Sequence, residues 1–160
     1  MIASQKIRPC LWFDHEAEEA ANFYISLFPG SRILEMSHYG DAGPGKPGSV
    51  LAVSFELAGA QFIGLNGGPH FKFSEAISLS VDCQSQAELD ALWDALGAGG
   101  AHSHCGWLKD RYGLSWQLVP SRLPKLLSGP DAAGAKRAME AMLKMSKLDI
   151  AKLEAAYEGH

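Results

Sequence analysis

The chain has 160 residues, of which 47% are hydrophobic and 20% charged, as in an ordinary globular protein. This composition excludes a disordered chain, and a net charge of −4 without any Lys/Arg cluster gives no sign of a nucleic-acid partner. No apolar run approaches the ~20 residues of a membrane span, and the first residues lack the apolar core of a signal peptide. The 3 cysteines are few and odd in number, so we expect reduced thiols in a cytoplasmic protein without membrane contact.

The first half of the chain predicts a strand, a helix and three further strands. Residues 7–13 are apolar and aromatic, and Asp14 can cap the helix that apolar spacing predicts over 17–28. Pro29-Gly30 ends this helix, and a loop rich in glycine and proline is expected at 40–48. The three strands are predicted at 31–39, 51–57 and 61–66.

The second half repeats this order. Residues 77–82 alternate as in a strand, and the apolar residues of 89–96 recur at helical spacing until the glycines of 97–100. Three short strands are predicted at 101–105, 107–111 and 114–119. The chain therefore predicts an α+β fold built from two copies of one βαβββ unit.

A helical tail is predicted after Pro120. Its three helices are expected over 123–128, 131–145 and 148–157. Their apolar stripes must cover a surface, which is either the sheet edge of the same chain or a partner subunit.

The predicted strands have two different faces. One set of side chains is aliphatic and is expected to pack on the helices: Leu11/Phe13, Leu51/Val53/Phe55, Ile63/Leu65 and Ile77/Leu79/Val81. The other set is small, polar or aromatic: Cys10/Trp12, Ala52/Ser54/Glu56, Phe62/Gly64/Asn66, Ser78/Ser80/Asp82 and Ser115/Gln117. Such a second face is exposed to water, forms a dimer interface or lines a concave pocket, and Trp12 and Phe62 favour the pocket.

Two groups of histidines are candidates for chemistry. His70 lies in a glycine-rich loop and could act as an acid or base, although Phe71 and Phe73 could equally anchor that loop in the core. His102 and His104 would share one face of a strand and could bind a metal, with Cys105 beside them, but a fourth ligand at recognisable spacing is missing. The sequence has no glycine-rich strand-to-helix turn for a dinucleotide or for S-adenosylmethionine.

Several segments together form a recognisable pattern: PCLWFD at 9–14, AEEAANFY at 17–24, LFPGS at 27–31, NGGPHF at 66–71, CGWLKD at 105–110 and GLSWQ at 113–117. They resemble the PhnB-like branch of the vicinal-oxygen-chelate superfamily, which includes glyoxalase I, bleomycin-resistance proteins and extradiol dioxygenases. Members of this branch often carry the name demethylubiquinone 3-methyltransferase. The resemblance implies one glyoxalase-like domain over 1–160, whose curved mixed sheets form the halves of a cup. Its parts are module one at about 5–66, module two at about 76–119 and the helical tail at about 121–158.

The resemblance also implies where a metal would be bound. Metal-using members place His or Glu on four strands that face into the cup. The matching places here fall near Arg8 or Pro9, Gly64, Ala76 and Gln117. None of these is a good metal ligand, so the sequence favours binding without a metal.

We therefore predict a metal-independent small-molecule binding protein with the glyoxalase/bleomycin-resistance fold, without a cofactor and as a homodimer. The candidate lining of its pocket is Trp12, Ser54, Phe62, Asn66, His70, Ser80, Trp107 and Gln117. Tryptophans would stack on a flat or apolar ligand, and the polar side chains would orient it. The alternatives are a lyase, isomerase or dioxygenase with a displaced metal site at His70 or at His102 and His104, a methyltransferase, and an interaction module.

Overall fold

The computed structural model describes residues 5–160, and the chain divides into a first unit that ends at Phe73 and a second unit from Ser74 to His160. The elements of the first unit are β1 (Cys10–Phe13), α1 (Ala17–Leu27), β2 (Arg32–His38), β3 (Val50–Leu57) and β4 (Ala60–Asn66). They form a four-stranded sheet of order β1-β4-β3-β2, in which β1 pairs parallel to β4 and the other pairs are antiparallel.

The second unit repeats this topology and adds the tail. Its first elements are β5 (Ser78–Cys83), α2 (Gln86–Gly97), β6 (Ala101–His102), β7 (Trp107–Lys109) and β8 (Ser115–Pro120). The sheet order is β5-β8-β7-β6, again with one parallel pair, between β5 and β8. The tail consists of α3 (Leu123–Leu127), α4 (Ala132–Met142) and α5 (Ile150–Glu158). The predicted α+β fold of paired βαβββ modules with a helical tail is confirmed.

The core of the first unit lies between α1 and one face of its sheet. The small residues Ala17, Ala20 and Ala21 are fully buried, so the helix approaches the strands closely. Phe55 of β3 is also fully buried and stacks on Phe62 of β4 at 5.6 Å between ring centroids. Burial of such apolar groups is the main force that holds a helix on a sheet.

The prediction for the two faces of β4 is wrong. Strand pairing places Phe62 beside Phe55, and Gly64 beside both Leu11 and Val53, on the face that α1 covers. Ile63 and Leu65 lie on the opposite face, beside Cys10 and Trp12. The physical reason is the close approach of the helix, because a Cβ at Gly64 would lie 3.2 Å from the Cβ of Ala17.

The core of the second unit is built from α2, β7 and β8. Leu89, Leu96, Leu108 and Leu118 are buried there, together with Trp116. Ile77 was expected to join this face, but it precedes β5 and its side chain is 72% exposed. No helix of the described chain is long and apolar enough to cross a membrane.

A buried carboxylate shapes the hairpin between β7 and β8. Asp110 is 2% exposed, and its Oδ1 accepts hydrogen bonds from the backbone N–H groups of Tyr112 (2.9 Å) and Leu114 (3.0 Å). Its Oδ2 accepts from Nε1 of Trp116 at 2.9 Å. Asp110 therefore fixes both the turn and the start of β8, where Ser115 lies.

Candidate functional site

Each sheet packs one face on its helix, and the opposite face carries most of the predicted pocket residues. In the first unit, Trp12 and Ser54 lie on this opposite face, as predicted. In the second unit, Ser80, Gln117 and Trp107 lie on it as well, because Gln117 pairs with both of the others. The side-chain amide of Gln117 donates to Oγ of Ser78 at 2.9 Å on the same face.

Phe62 and Asn66 lie instead on the face that packs against α1. Asn66 is 9% exposed, and its Oδ1 accepts a hydrogen bond from the backbone N–H of Ala17 at 2.8 Å. Its Nδ2 donates to the carbonyl of Val50 at 3.1 Å. The N-cap residue of α1 is Glu16, which makes no side-chain cap, so the prediction that Asp14 caps this helix is wrong. Asn66, on the distant strand β4, caps α1 instead. Its side chain accepts from one of the backbone N–H groups that a helix N-terminus leaves without partners.

Trp12 is held in place by the loop after β4. Its Nε1 donates to the carbonyl of Gly68 at 2.9 Å, and Phe71 packs edge-on against it at 4.9 Å. The indole lies so close to Gly67 that a Cβ there would be 2.3 Å from the ring. Phe73 anchors the end of the loop on Phe13 at 5.3 Å.

His70 lies on the surface of this loop. Its side chain is exposed, and no hydrogen bond or ion pair to it occurs among residues 5–160. A general acid or base needs a defined position near the proton that it transfers. The structure provides His70 with no such fixed position, so its catalytic role stays a prediction.

The second unit contains a cavity of about 610 Å³, within the usual range for small-molecule sites. It is lined by Glu75, Ala101, His102, Ser103, His104, Cys105, Trp107, Leu108, Lys109 and Ser115. Trp107 is half-buried and contributes an aromatic wall. Of the predicted pocket residues, the cavity contains Trp107, together with the two alternative metal ligands His102 and His104.

Ser115 is the unusual residue of this cavity. It is 1% exposed, and its Oγ has no hydrogen-bond partner within the described part of the chain. Leaving a buried hydroxyl unpaired costs about 1–3 kcal/mol, so such groups are rare in folded proteins. Because Oγ has almost no accessible surface, a ligand in the cavity would reach it only after a small movement of the Ser115 side chain or its neighbours.

An ion pair adds charge to the same cavity. Nζ of Lys109 is in close contact with Oε1 of Glu75, and both side chains are largely exposed. The hydrogen bond from Lys109 lowers the pKa of the Glu75 carboxyl. An exposed ion pair is weakly held, so a polar group of a ligand can replace either partner.

His102 and His104 do not form a metal chelate. β6 ends at His102, so His104 lies in the turn that follows and not on the same strand face. The ring of His102 stacks on Trp93 at 4.4 Å, and its Nε2 lies 3.0 Å from the carbonyl oxygen of Trp93. Among residues 5–160, no group of three or more His, Cys, Asp or Glu side chains could hold a metal ion.

The faces opposite the helices do not fit a divalent metal either. β1 and β4 place Cys10, Trp12, Ile63 and Leu65 there. Burial raises the pKa of the Cys10 thiol, which disfavours the thiolate that metals bind. β5 and β8 provide hydroxyls, one amide and the carboxylate of Asp82, so this face has one strong ligand where a metal site needs three or more. Gly64, one of the places implied by the family resemblance, is covered by α1.

No sequence pattern points to three residues of the cavity. Lys109 and Glu75 are far apart in sequence, and Ser115 looks like any serine of an alternating strand. A further cavity, of about 580 Å³, lies in the first unit beside the Gly/Pro-rich loop, with Tyr39 in its wall. The Tyr39 hydroxyl donates to the carbonyl of Asn66, and its ring packs on Gly45. The loop was recognised from sequence, but its attachment to Tyr39 was not.

Comparisons with known proteins agree with this architecture. The family described as 3-demethylubiquinone-9 3-methyltransferase matches residues 5–119. The PhnB protein from Bacillus cereus is 40% identical, with a TM-score of 0.67 over 72% of this chain and 99% of its own. Protein PA1353 from Pseudomonas aeruginosa shares the fold at 21% identity and a TM-score of 0.61, over 73% of this chain and 98% of its own.

The fold extends to more distant proteins. The fosfomycin resistance protein FosX from Listeria monocytogenes has 14% identity and a TM-score of 0.50, over 78% of this chain and 98% of its own. No curated protein matched the sequence. The chain belongs to the family described as 3-demethylubiquinone-9 3-methyltransferase, the PhnB-like branch of the vicinal-oxygen-chelate superfamily.

Proposed function

We propose that this protein binds a small molecule in the cavity of the second unit and holds it without a metal. The observation that carries this proposal is Ser115, a buried hydroxyl without a partner in a cavity of ligand size. A buried polar group without a partner calls for an explanation, and a bound molecule that completes its hydrogen bonding is one.

The lining of the cavity indicates the kind of ligand. Trp107 offers a flat aromatic surface for stacking, and Ser115 offers one hydrogen bond at a buried point. Lys109 and Glu75 offer one charge of each sign near the solvent. The ligand that fits is a ring compound with one polar group, which enters with the ring against Trp107.

Binding without a metal follows from the available donor groups. The strands that carry His or Glu in metal-using relatives carry thiol, aromatic, aliphatic, hydroxyl and amide side chains on this face here, with Asp82 as the one carboxylate. Hydrogen bonds, stacking and charge therefore have to orient the ligand. This arrangement supports a binding protein more than a lyase, isomerase or dioxygenase that activates its substrate through a metal.

Titration with simple ring compounds tests this proposal. Phenol, benzamide and benzoate are added to ¹⁵N-labelled protein, and chemical shifts are followed by NMR. We expect changes at the indole N–H of Trp107 and at the amides of 101–109 for at least one compound. Ser115→Ala should weaken that binding about 2- to 10-fold, as expected for one hydrogen bond, whereas Ser54→Ala should not change it. Absence of binding for all three compounds, or equal effects of the two variants, would contradict the proposal.

Two further measurements separate the alternatives. The family name suggests methyl transfer, yet residues 14–16 and 84–85, which precede α1 and α2, contain no glycine. We expect no heat of binding for S-adenosylmethionine by calorimetry. Native mass spectrometry with metal analysis of untagged protein tests the predicted homodimer and the absence of metal. A stoichiometric divalent metal would favour the enzyme alternatives.

A further inference from the structure

The tail contains a short segment that bonds to one wall of the cavity. Residues 142–146, here called the clamp, connect α4 to the stretch before α5. The backbone N–H groups of Cys105 and Gly106 donate to the carbonyls of Met145 (2.9 Å) and Ser146 (2.8 Å). In return, Oγ of Ser146 donates to the carbonyl of Ser103 at 2.5 Å. The clamp and the 103–106 turn are therefore joined by reciprocal hydrogen bonds.

The turn has a conformation that needs outside support. Cys105 has a φ of +57° and is followed by Gly106 at +84°, so a residue with a side chain adopts the left-handed region. The thiol of Cys105 donates to the carbonyl of Met142 at 3.6 Å, a further bond to the clamp. Without the clamp, two backbone N–H groups of the turn would lose their hydrogen-bond acceptors. The turn could then relax to backbone conformations with less strain at Cys105.

The residues that directly follow the clamp bond to α2, and none of these bonds involves the turn. Leu148, two residues beyond the clamp, is fully buried, and its carbonyl accepts from Nε2 of Gln86 at 3.0 Å. Oε1 of the same glutamine accepts from the backbone N–H of Ile150 at 2.8 Å. Lys147 pairs with Asp90 of α2 at 3.0 Å. The tail can therefore hold the turn in a fixed position relative to the sheet.

The turn is also part of the cavity wall. Ser103, His104 and Cys105 line the cavity together with Trp107. The family match ends at residue 119, so the clamp lies outside the segment that this chain shares with the family description. This wall is therefore supported in part by residues that the family match does not cover.

We propose that the clamp determines ligand selectivity of the cavity, with Ser146 as a positioning residue that acts through the 103–106 turn. This inference rests on the proposed function, because it concerns the same cavity. It assigns the tail a role beyond covering apolar surface. Ser146 does not line the cavity, so its effect on a ligand must be transmitted by the turn.

Hydrogen exchange together with probe binding tests this role. Ser146→Ala removes the bond to Ser103, and Ser146→Thr keeps the hydroxyl. Ser128→Ala is the matched control, because Oγ of Ser128 also donates to a tail carbonyl, that of Pro124 at 2.6 Å. Exchange of the Cys105 and Gly106 amides and the affinities for phenol, benzamide and benzoate are measured for each variant.

We expect Ser146→Ala to speed exchange at both amides about 2- to 10-fold and to change the affinity ratio between two probes by a similar factor. Ser146→Thr should restore both properties, and Ser128→Ala should leave them unchanged. Faster exchange with unchanged affinity ratios would show a purely structural clamp and would overturn the inference, as would unchanged exchange. A wild-type protein that binds none of the probes would instead refute the proposed function, which is a separate and recognisable outcome.

Discussion

The two units share one topology but differ in how they begin their helices and in what they place on the second sheet face. In the first unit the N-terminus of α1 is satisfied by Asn66 from the end of β4. In the second unit the N-terminus of α2 is satisfied locally, because Oγ of Ser85 accepts from the N–H of Glu88. On β5 and β8 of the second unit, Ser78, Ser80 and Gln117 lie on one face, and Leu79, Trp116 and Leu118 lie on the other.

This difference shows that the same βαβββ backbone can cap its helix in two ways, with a neighbouring side chain or with one from a distant strand. A local cap depends on residues that are neighbours in sequence, and it can be recognised there. A cap from a distant strand makes a helix depend on the sheet beside it, and it places a polar residue on a face that otherwise contains core residues. The following variants test the contrast, from the largest expected effect to the smallest.

The largest effect is expected in the β7–β8 hairpin of the second unit. Asp110→Ala leaves the N–H groups of Tyr112, Leu114 and Trp116 Nε1 without their acceptor in a buried position. We expect the free energy of unfolding to fall by about 3–5 kcal/mol, since several bonds to a charged group are lost together. Urea denaturation monitored by fluorescence measures this loss. A decrease below about 1 kcal/mol would contradict the role of Asp110 as the organiser of the hairpin.

The paired caps allow a direct test of distant against local capping. Asn66→Ala removes two hydrogen bonds, one with the backbone N–H of Ala17 and one with the carbonyl of Val50. The first is buried and the second is partly buried. We expect a loss of about 2–3 kcal/mol in the free energy of unfolding, compared with about 1 kcal/mol for Ser85→Ala. Denaturation of both variants under the same conditions measures the difference. Equal losses would show that the distant cap carries no additional cost when broken.

Ser115 is expected to change stability in the opposite direction. Ser115→Ala removes a buried hydroxyl that has no partner among the described residues. The ligand-free protein should therefore be more stable, by up to about 1 kcal/mol, while its affinity for the ring compound falls. Thermal unfolding with and without the probe measures both effects. A destabilised variant would indicate that the hydroxyl already has a partner in solution, and the argument for the cavity would lose its basis.

The smallest effect concerns a thiol at the end of β5. Burial is the main cause that raises the pKa of Cys83 to about 12, and Glu88 and Asp82 add to it. An unfolded chain releases this proton near pH 9, whereas the folded protein keeps it. Stability should therefore fall as the pH rises from about 9 towards 12. Urea denaturation at pH 8 and pH 10 should show a smaller decrease for Cys83→Ala than for the wild-type chain.

The paired βαβββ fold could be predicted because periodicity is a local property. Serine alternates with leucine or valine along β5 of the second unit, so alternation alone predicts its two faces correctly. In β4 both alternating sets are largely apolar, and the pattern alone favoured Ile63 and Leu65 as the core. Packing decides otherwise, because the helix lies so close that a side chain at position 64 would crowd Ala17 and Val53.

The candidate site was less accessible to sequence analysis. Alternation places Gln117 and Ser80 on the correct face, but the ion pair of Lys109 with Glu75 joins distant parts of the chain. The same reasoning placed His102 and His104 on one strand, and it failed because β6 ends at His102 before the turn held by the clamp. The turn after β6 depends on hydrogen bonds to a distant segment, so no pattern among the neighbouring residues predicts where this strand ends.

By itself the sequence determined the order of elements, the repeat and the helical tail, since each follows from residue spacing along the chain, and the resemblance of its motifs identified the family. The tertiary structure decided which face of β4 is buried, what caps α1, that Ser115 lacks a partner and how residues 142–146 bond to the cavity wall. These properties depend on distances between residues far apart in sequence. Hydrogen bonding and close packing act over a few ångströms, so only the folded chain brings such groups within their range.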